Sequence, residues 1–264
     1  MKRKTYYYAD ELNDDFAKTR IRQKKLGKHF KYVHTSFFWR FLCRILYFFI
    51  APLLIIPINK IVHHQKSVNK KVLKKAKHTG YFVYSNHTSY INDCFASSYM
   101  PYPKRNYIIV HPDATSIFGL RNIVQMLGGI PLGNTVKENI AMVKCIHQRI
   151  AEKSSVTIFP EAHIWPYYTK IRPFGETSFK YPVKLQVPVF CITHCYRKRK
   201  FGKRPKIVSF VDGPFYPDQS LSVSEATKKI RDQVYTTMCR RTEEYSDYAY
   251  ADYIRKEVSE KTEA

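Results

Sequence analysis

Apolar positions along the chain fall into short runs set between polar turns. Tyr81-Phe-Val-Tyr-Ser85 follows the breaker Gly80 and predicts a buried strand. Asn106–Val110, Val156–Phe159, Val187–Ile192 and Lys206–Val211 predict four more, and Ile130–Leu132 is short and extended. Between them the spacing turns helical. One helix runs over Phe118–Leu127 and ends at Gly128-Gly129; another starts at Thr135, where Thr135 and Glu138 form a capping box. Ile140, Val143, Ile146 and Ile150 share a face of that second helix, and a last helix covers about Glu225 to Arg241. Strands separated by helical runs predict an α/β fold: a mixed, mostly parallel sheet flanked by helices, with active loops at strand ends.

Ahead of this pattern lies the most hydrophobic segment, Ser36 to Ile58. Its uninterrupted apolar run, Ile45 to Ile58, is shorter than the roughly 20 residues of a spanning helix. Arg40 and Arg44 stand one turn apart and can snorkel to phosphates, while Pro52 and Pro57 should bend or break the helix. Phe37 to Val62 would serve as a tilted span; a re-entrant or interfacial anchor is the favoured reading. A buried core helix has little use for two arginines. The chain thus divides into a basic arm (1–35) with a weak helical pattern (Leu12, Phe16, Ile21), a membrane-associated helical segment (36–62), an α/β domain (63–245) and a polar tail (246–264).

Charge narrows the partners. The 264 residues carry a formal net charge of +24, which calls for an anionic partner: nucleic acid, a membrane surface or a phosphorylated substrate. No acidic residue occurs between Asp15 and Asp93, and lysines and arginines flank the apolar segment on both sides. Each basic residue near an anionic leaflet contributes about 1 kcal/mol of attraction. A nucleic-acid binder needs the charge but not the apolar segment, so an anionic membrane surface is the expected partner and nucleic acid is not. The six cysteines lack paired metal-ligand spacing, so no metal is expected and free thiols in a reducing compartment fit best. The first thirty-five residues hold no signal-peptide core, which places the catalytic part at the cell membrane on its cytoplasmic side.

Candidate chemistry sits at the ends of the predicted strands. Ser85-Asn86-His87-Thr-Ser-Tyr-Ile-Asn92-Asp93 delivers an imidazole with a carboxylate a few residues on, a minimal general-base unit. Taken alone, it reads equally as a histidine that satisfies a turn. Gly128-Gly129-Ile-Pro-Leu-Gly-Asn134 opens onto the Thr135 helix, whose amino end can hold an anion. Phe159-Pro-Glu161-Ala-His163 continues to Lys170 and Arg172: a carboxylate to bond a substrate hydroxyl, then two cations to clamp a phosphate. Separately, each of those cations is also an ordinary solvated charge. The basic stretch Arg197 to Lys206 can face an acidic partner and reads at least as well as a solvated loop.

Together with Val187-Pro188-Val189, these stretches resemble, in order and spacing, the glycerolipid acyltransferase family of the lysophosphatidate acyltransferase type, over roughly Tyr81 to Thr193. The resemblance implies transfer of a fatty acyl group from a thioester, acyl-CoA or acyl carrier protein, to the free hydroxyl of lysophosphatidate, giving phosphatidate in phospholipid biosynthesis. It makes His87 the general base, implies no covalent acyl-enzyme and no bound cofactor, and assigns Asn86, Asn92, Gly129, Asn134, Glu161, His163, Lys170 and Arg172 to the substrate. Three departures stand out. The family spaces histidine and aspartate by four residues, which lands on Asn92, so Asp93 is expected to orient His87 from a turn one residue longer. A relative without activity is the competing reading. Gly133-Asn134 replaces the family's Asp-Arg, and Ala162 its glycine. Two other functions remain open at this point: acylation of a different lysolipid, and a non-catalytic basic protein that binds lipid or nucleic acid.

Overall fold

A computed structural model describes residues 3–17, 26, 30–89, 92–116 and 119–256. In chain order, β1 (Lys4–Tyr8) precedes a long helix over Phe37–Val62, which joins two α-helical stretches, α1 (Phe37–Ile45) and α2 (Ala51–Pro57), each followed by a short π-helical one. Next come β2 (Lys66–Val68), β3 (Tyr81–Ser85), α3 (Asn92–Tyr99), β4 (Asn106–Val110), α4 (Arg121–Leu127) and β5 (Gly129–Pro131). The remainder is α5 (Val136–Ala151), β6 (Ser155–Ile158), α6 (Lys180–Leu185), β7 (Val189–Arg197), β8 (Lys206–Phe215), α7 (Val223–Tyr245) and β9 (Ala251–Arg255).

The main sheet has the strand order β2-β8-β7-β3-β6-β4-β5. β7, β3, β6, β4 and β5 run parallel; β8 is antiparallel to β7, and β2 follows β8. The sheet is therefore mixed and mostly parallel, as the alternation of runs implies. β3 lies between β7 and β6 and is buried at every position, which explains its unbroken apolar character. Its pleat feeds both layers: Phe82 and Tyr84 pack with Ile146 of α5 and Val234 of α7, whereas Tyr81 and Val83 meet Val72 and Leu73 on the other face.

The predicted elements form, the early strands within a residue, while β7, β8 and α7 run four or five residues past their expected ends; the capping box at Thr135 is present. The exceptions are instructive. Ile140 is 53% exposed, and the buried stripe of α5 is Met142, Cys145, Ile146 and Ile150. Phe118 and Ile21 lie outside the described residues. Around Leu12 there is no helix: the arm enters the structure as β1, paired in parallel with β9 from the tail. Pro52 and Pro57 do not break the long helix, because a widened π-helical stretch beside each absorbs the missing donor.

That helix is long and apolar enough to cross a membrane by length and composition. One face, including Phe37, Phe41, Phe49, Leu53 and Ile61, is exposed, while Tyr47, Ala51 and Ile55 pack with Tyr99 of α3. The helix thus runs along the flank of the sheet. Its end reaches the carboxyl edge of the parallel strands, where Arg199 of the β7–β8 turn donates to the Val62 carbonyl at 2.9 Å.

Candidate active site

At the carboxyl end of β3 the chain turns through Asn86 to Ser89 and re-enters as α3, with Asp93 in the first helical turn. A carboxylate is favoured there by the helix dipole. Asp93 is 1% exposed, and its Oδ2 lies 3.1 Å from His87 Nδ1. The same oxygen accepts the main-chain N–H groups of Thr88 and Ser89, each at 2.6 Å. A carboxylate oxygen that accepts two amides is an acceptor for the imidazole as well. Nδ1 therefore carries the proton, and Nε2 presents its lone pair. The ring stacks on Phe159 at 4.3 Å and stays partly open to solvent. Such an imidazole can take a proton from a hydroxyl. The backbone of Asn92 starts α3; its side chain lies outside the described residues.

The turn is held from below by the loop after β6. Glu161, 4% exposed, accepts the His87 N–H at 3.1 Å and the Arg172 N–H at 3.2 Å. Arg172 is also buried, with its guanidinium 3.6 Å from Glu161 Oε2. It donates to the carbonyls of Glu161, Glu11 and His163, and packs over Trp165. Burial pushes the Glu161 carboxyl up from its ordinary range, and Arg172 and the two N–H donors oppose that rise. Two expectations are corrected here. Arg172 does not face a phosphate, and Glu161 does not face a substrate hydroxyl, since the two neutralise each other inside the loop.

Other candidates spread further apart. Asn86 is fully buried, and its amide makes a closed pair with the main chain of His194 in β7, at 3.1 and 2.8 Å, so it positions the turn instead of touching substrate. His194, whose imidazole burial depresses below its ordinary range, bridges Ser97 and Ser209 beneath it. Gly129 begins β5 at the opposite, amino edge of the sheet. It is a glycine because a Cβ there would meet Val124 at 2.6 Å, not because a ligand approaches. Asn134 is at the carboxyl edge; its N–H and that of Thr135 go to Glu138, which fills much of the expected anion site at the start of α5. His163 is partly exposed, 3.7 Å from Asp15, and Lys170 is exposed on the same loop. Ala162 adopts φ +62°, the left-handed conformation that glycine tolerates best.

Three features carried no signal of their own in the sequence. Phe159 ends a strand as any aromatic would. His63, just past the long helix, is depressed chiefly by burial, with Arg199 and Arg204 adding to that and Asp93 opposing it. Those two arginines belong to the basic β7–β8 turn, whose composition was legible but whose place at the carboxyl edge, against the end of the long helix, was not. The third is a clasp: Trp165 stacks on Tyr253 of the tail at 4.9 Å and donates Nε1–H to the Asp14 carbonyl at 2.7 Å. In turn the Trp165 N–H donates to the His87 carbonyl at 3.2 Å, tying arm and tail to the turn.

The fold agrees with comparisons to known proteins. The structure resembles the crystal structure of the 1-acyl-sn-glycerophosphate (LPA) acyltransferase PlsC from Thermotoga maritima, with a TM-score of 0.53 and 16% identity, over 78% of this chain and 92% of that one. Among curated proteins none matches the sequence. A family model described as Acyltransferase matches residues 60–194, just over half of the chain, and spans the His87 turn, Asp93 and the Glu161 loop. By that match the chain belongs to the acyltransferase family.

Proposed function

We propose that the protein moves a fatty acyl group from a thioester donor to the free hydroxyl of lysophosphatidate, with His87 as general base. The observation that carries the reading is the single Asp93 oxygen shared by His87 Nδ1 and the two turn amides, which leaves Nε2 as the acceptor. Nε2 takes the acceptor's hydroxyl proton as its oxygen attacks the thioester carbonyl. The tetrahedral adduct then collapses with cleavage of the C–S bond, and the departing thiolate recovers the proton from His87. No acyl-enzyme is needed. Asp93 stabilises the imidazolium formed in between.

Two surroundings support a lipid acceptor. A cavity of about 310 Å³ opens beside Phe159, lined by Ile109, Leu132, Met142, Ile158 and Tyr181, a fit for an acyl chain. The exposed apolar face of Phe37–Val62 runs down to the same edge of the sheet. A helix with one face packed on its own domain suits an interfacial anchor, with the catalytic edge at the cytoplasmic headgroup layer. With Arg172 withdrawn, the basic β7–β8 turn at the same edge, with Arg199 and Arg204, is our candidate to meet the acceptor phosphate, and acyl-CoA and acyl carrier protein both remain suitable donors.

Purified protein given acyl-CoA, and separately the acylated thioester of acyl carrier protein, should convert lysophosphatidate to phosphatidate and leave lysophosphatidylcholine largely unused. Equal turnover of both acceptors, or turnover of a third lysolipid alone, would replace the acceptor; no acylated lipid with any of them would remove the reading.

A further inference from the structure

We propose that a second phosphate site, separate from His87, lies at the amino edge of the sheet against the long helix and takes the phosphate monoester headgroup of a membrane lipid. A cavity of about 470 Å³ opens there. α1 contributes Arg40 and Arg44 to its wall, the residue before β4 contributes Arg105, and the end of α5 contributes Arg149 and Glu152. Four arginines and one carboxylate thus line the cavity, and that carboxylate is engaged by Arg149 at 2.9 Å. Among the described residues no carboxylate pairs with Arg40, Arg44 or Arg105. Like charges lining one cavity repel one another, and an anion in the space offsets that repulsion.

Two of the arginines, Arg105 and Arg149, are also held in place. The Arg105 guanidinium lies over Tyr47 at 4.0 Å and donates Nη2–H to the Met126 carbonyl at 2.6 Å, while its Nη1 has no hydrogen-bond partner. Arg149 sits over Tyr107 at 4.7 Å and keeps Nε without a partner. Guanidinium forks fixed by rings and carbonyls bind phosphate oxygens without first losing side-chain freedom. The net positive wall favours a dianionic monoester over a singly charged diester, and a headgroup bearing its own ammonium is repelled.

Location points to a lipid. Phe37 and Phe41, exposed on α1, stand within a turn of Arg40 and Arg44, so rings and cations meet the membrane surface together. The five residues of β4 separate this edge from the carboxyl edge, roughly 15 Å at strand rise, so one headgroup cannot reach both sites.

Vesicle flotation of the full chain carrying His87→Ala, which removes turnover, tests the assignment. Phosphatidylcholine vesicles containing phosphatidate are compared with vesicles of equal surface charge containing phosphatidylserine. Binding should favour phosphatidate by about tenfold, the equivalent of 1.4 kcal/mol. Arg44→Gln with Arg149→Gln should abolish the preference and leave binding to pure phosphatidylcholine unchanged. Lys60→Gln with Lys66→Gln removes equal charge outside the cavity and should lower binding to both anionic vesicles while the preference stays. No preference in the parent, or a preference that survives in the cavity variant, would overturn the site. Loss of the preference in millimolar inorganic phosphate would overturn the lipid assignment in favour of a soluble phosphate.

Discussion

His87→Ala should lower kcat for acyl transfer by about 10²–10⁴, the usual contribution of a positioned general base. The KM values should change little, because the imidazole acts on the proton and not on the headgroup or the chain. The fold should survive. The main-chain N–H of His87 still reaches Glu161, its carbonyl still receives the Trp165 N–H, and Asp93 still accepts the amides of Thr88 and Ser89. An unchanged melting transition alongside lost turnover would locate the effect in chemistry. Retention of more than about a tenth of the rate would remove His87 from that role.

Arg172→Met should unfold the site loop by a different route. Glu161 and Arg172 are both 1% exposed at their side chains and lie 3.6 Å apart, so removing the cation strands a buried carboxylate. Breaking such a pair costs about 3–5 kcal/mol. The guanidinium also satisfies three main-chain carbonyls from the arm and the loop, which adds to the loss. Since Glu161 holds the His87 N–H, activity should fall with stability. Urea melts of Arg172→Met, Glu161→Gln and the double variant give the check. The double should lie well above the sum of the singles, because the charges leave together. An Arg172→Met protein of native stability, with only the acceptor KM raised, would restore this arginine to a phosphate-binding role.

The contrast between these two residues shows what a sequence can reveal. His87 and Asp93 are close in the chain, so a strand end and a helix start suffice to bring them together. The buried strands were legible for a similar reason: Tyr81–Ser85 and Asn106–Val110 are apolar runs whose partners matter little to their identity. Arg172 looked like a phosphate ligand because a basic residue after a Pro-Glu turn carries no mark of burial. Its role depends on Glu11 and Glu161, the first far away in the chain. β1 was missed for the same cause, since Lys4–Tyr8 is a strand only through its pairing with Ala251–Arg255. Gly129 shows a further limit: a glycine required by Val124 and a glycine required by a ligand look the same in a one-dimensional string. The five-residue gap between His87 and Asp93 was visible from the start, and the structure gives it a physical basis in the turn amides that Asp93 holds.

Acyl-transfer rates of Asp93→Ala and Asn92→Ala, measured side by side, test that central arrangement most directly. Asp93→Asn belongs in the same assay. The amides of Thr88 and Ser89 select an oxygen at the Oδ2 position, so the substituted amide keeps the His87 tautomer and loses only the charge. The account predicts a fall of about 10²–10⁴ for Asp93→Ala, a smaller one for Asp93→Asn, and a change within about threefold for Asn92→Ala. Lost turnover in Asn92→Ala with an active Asp93→Ala would contradict it.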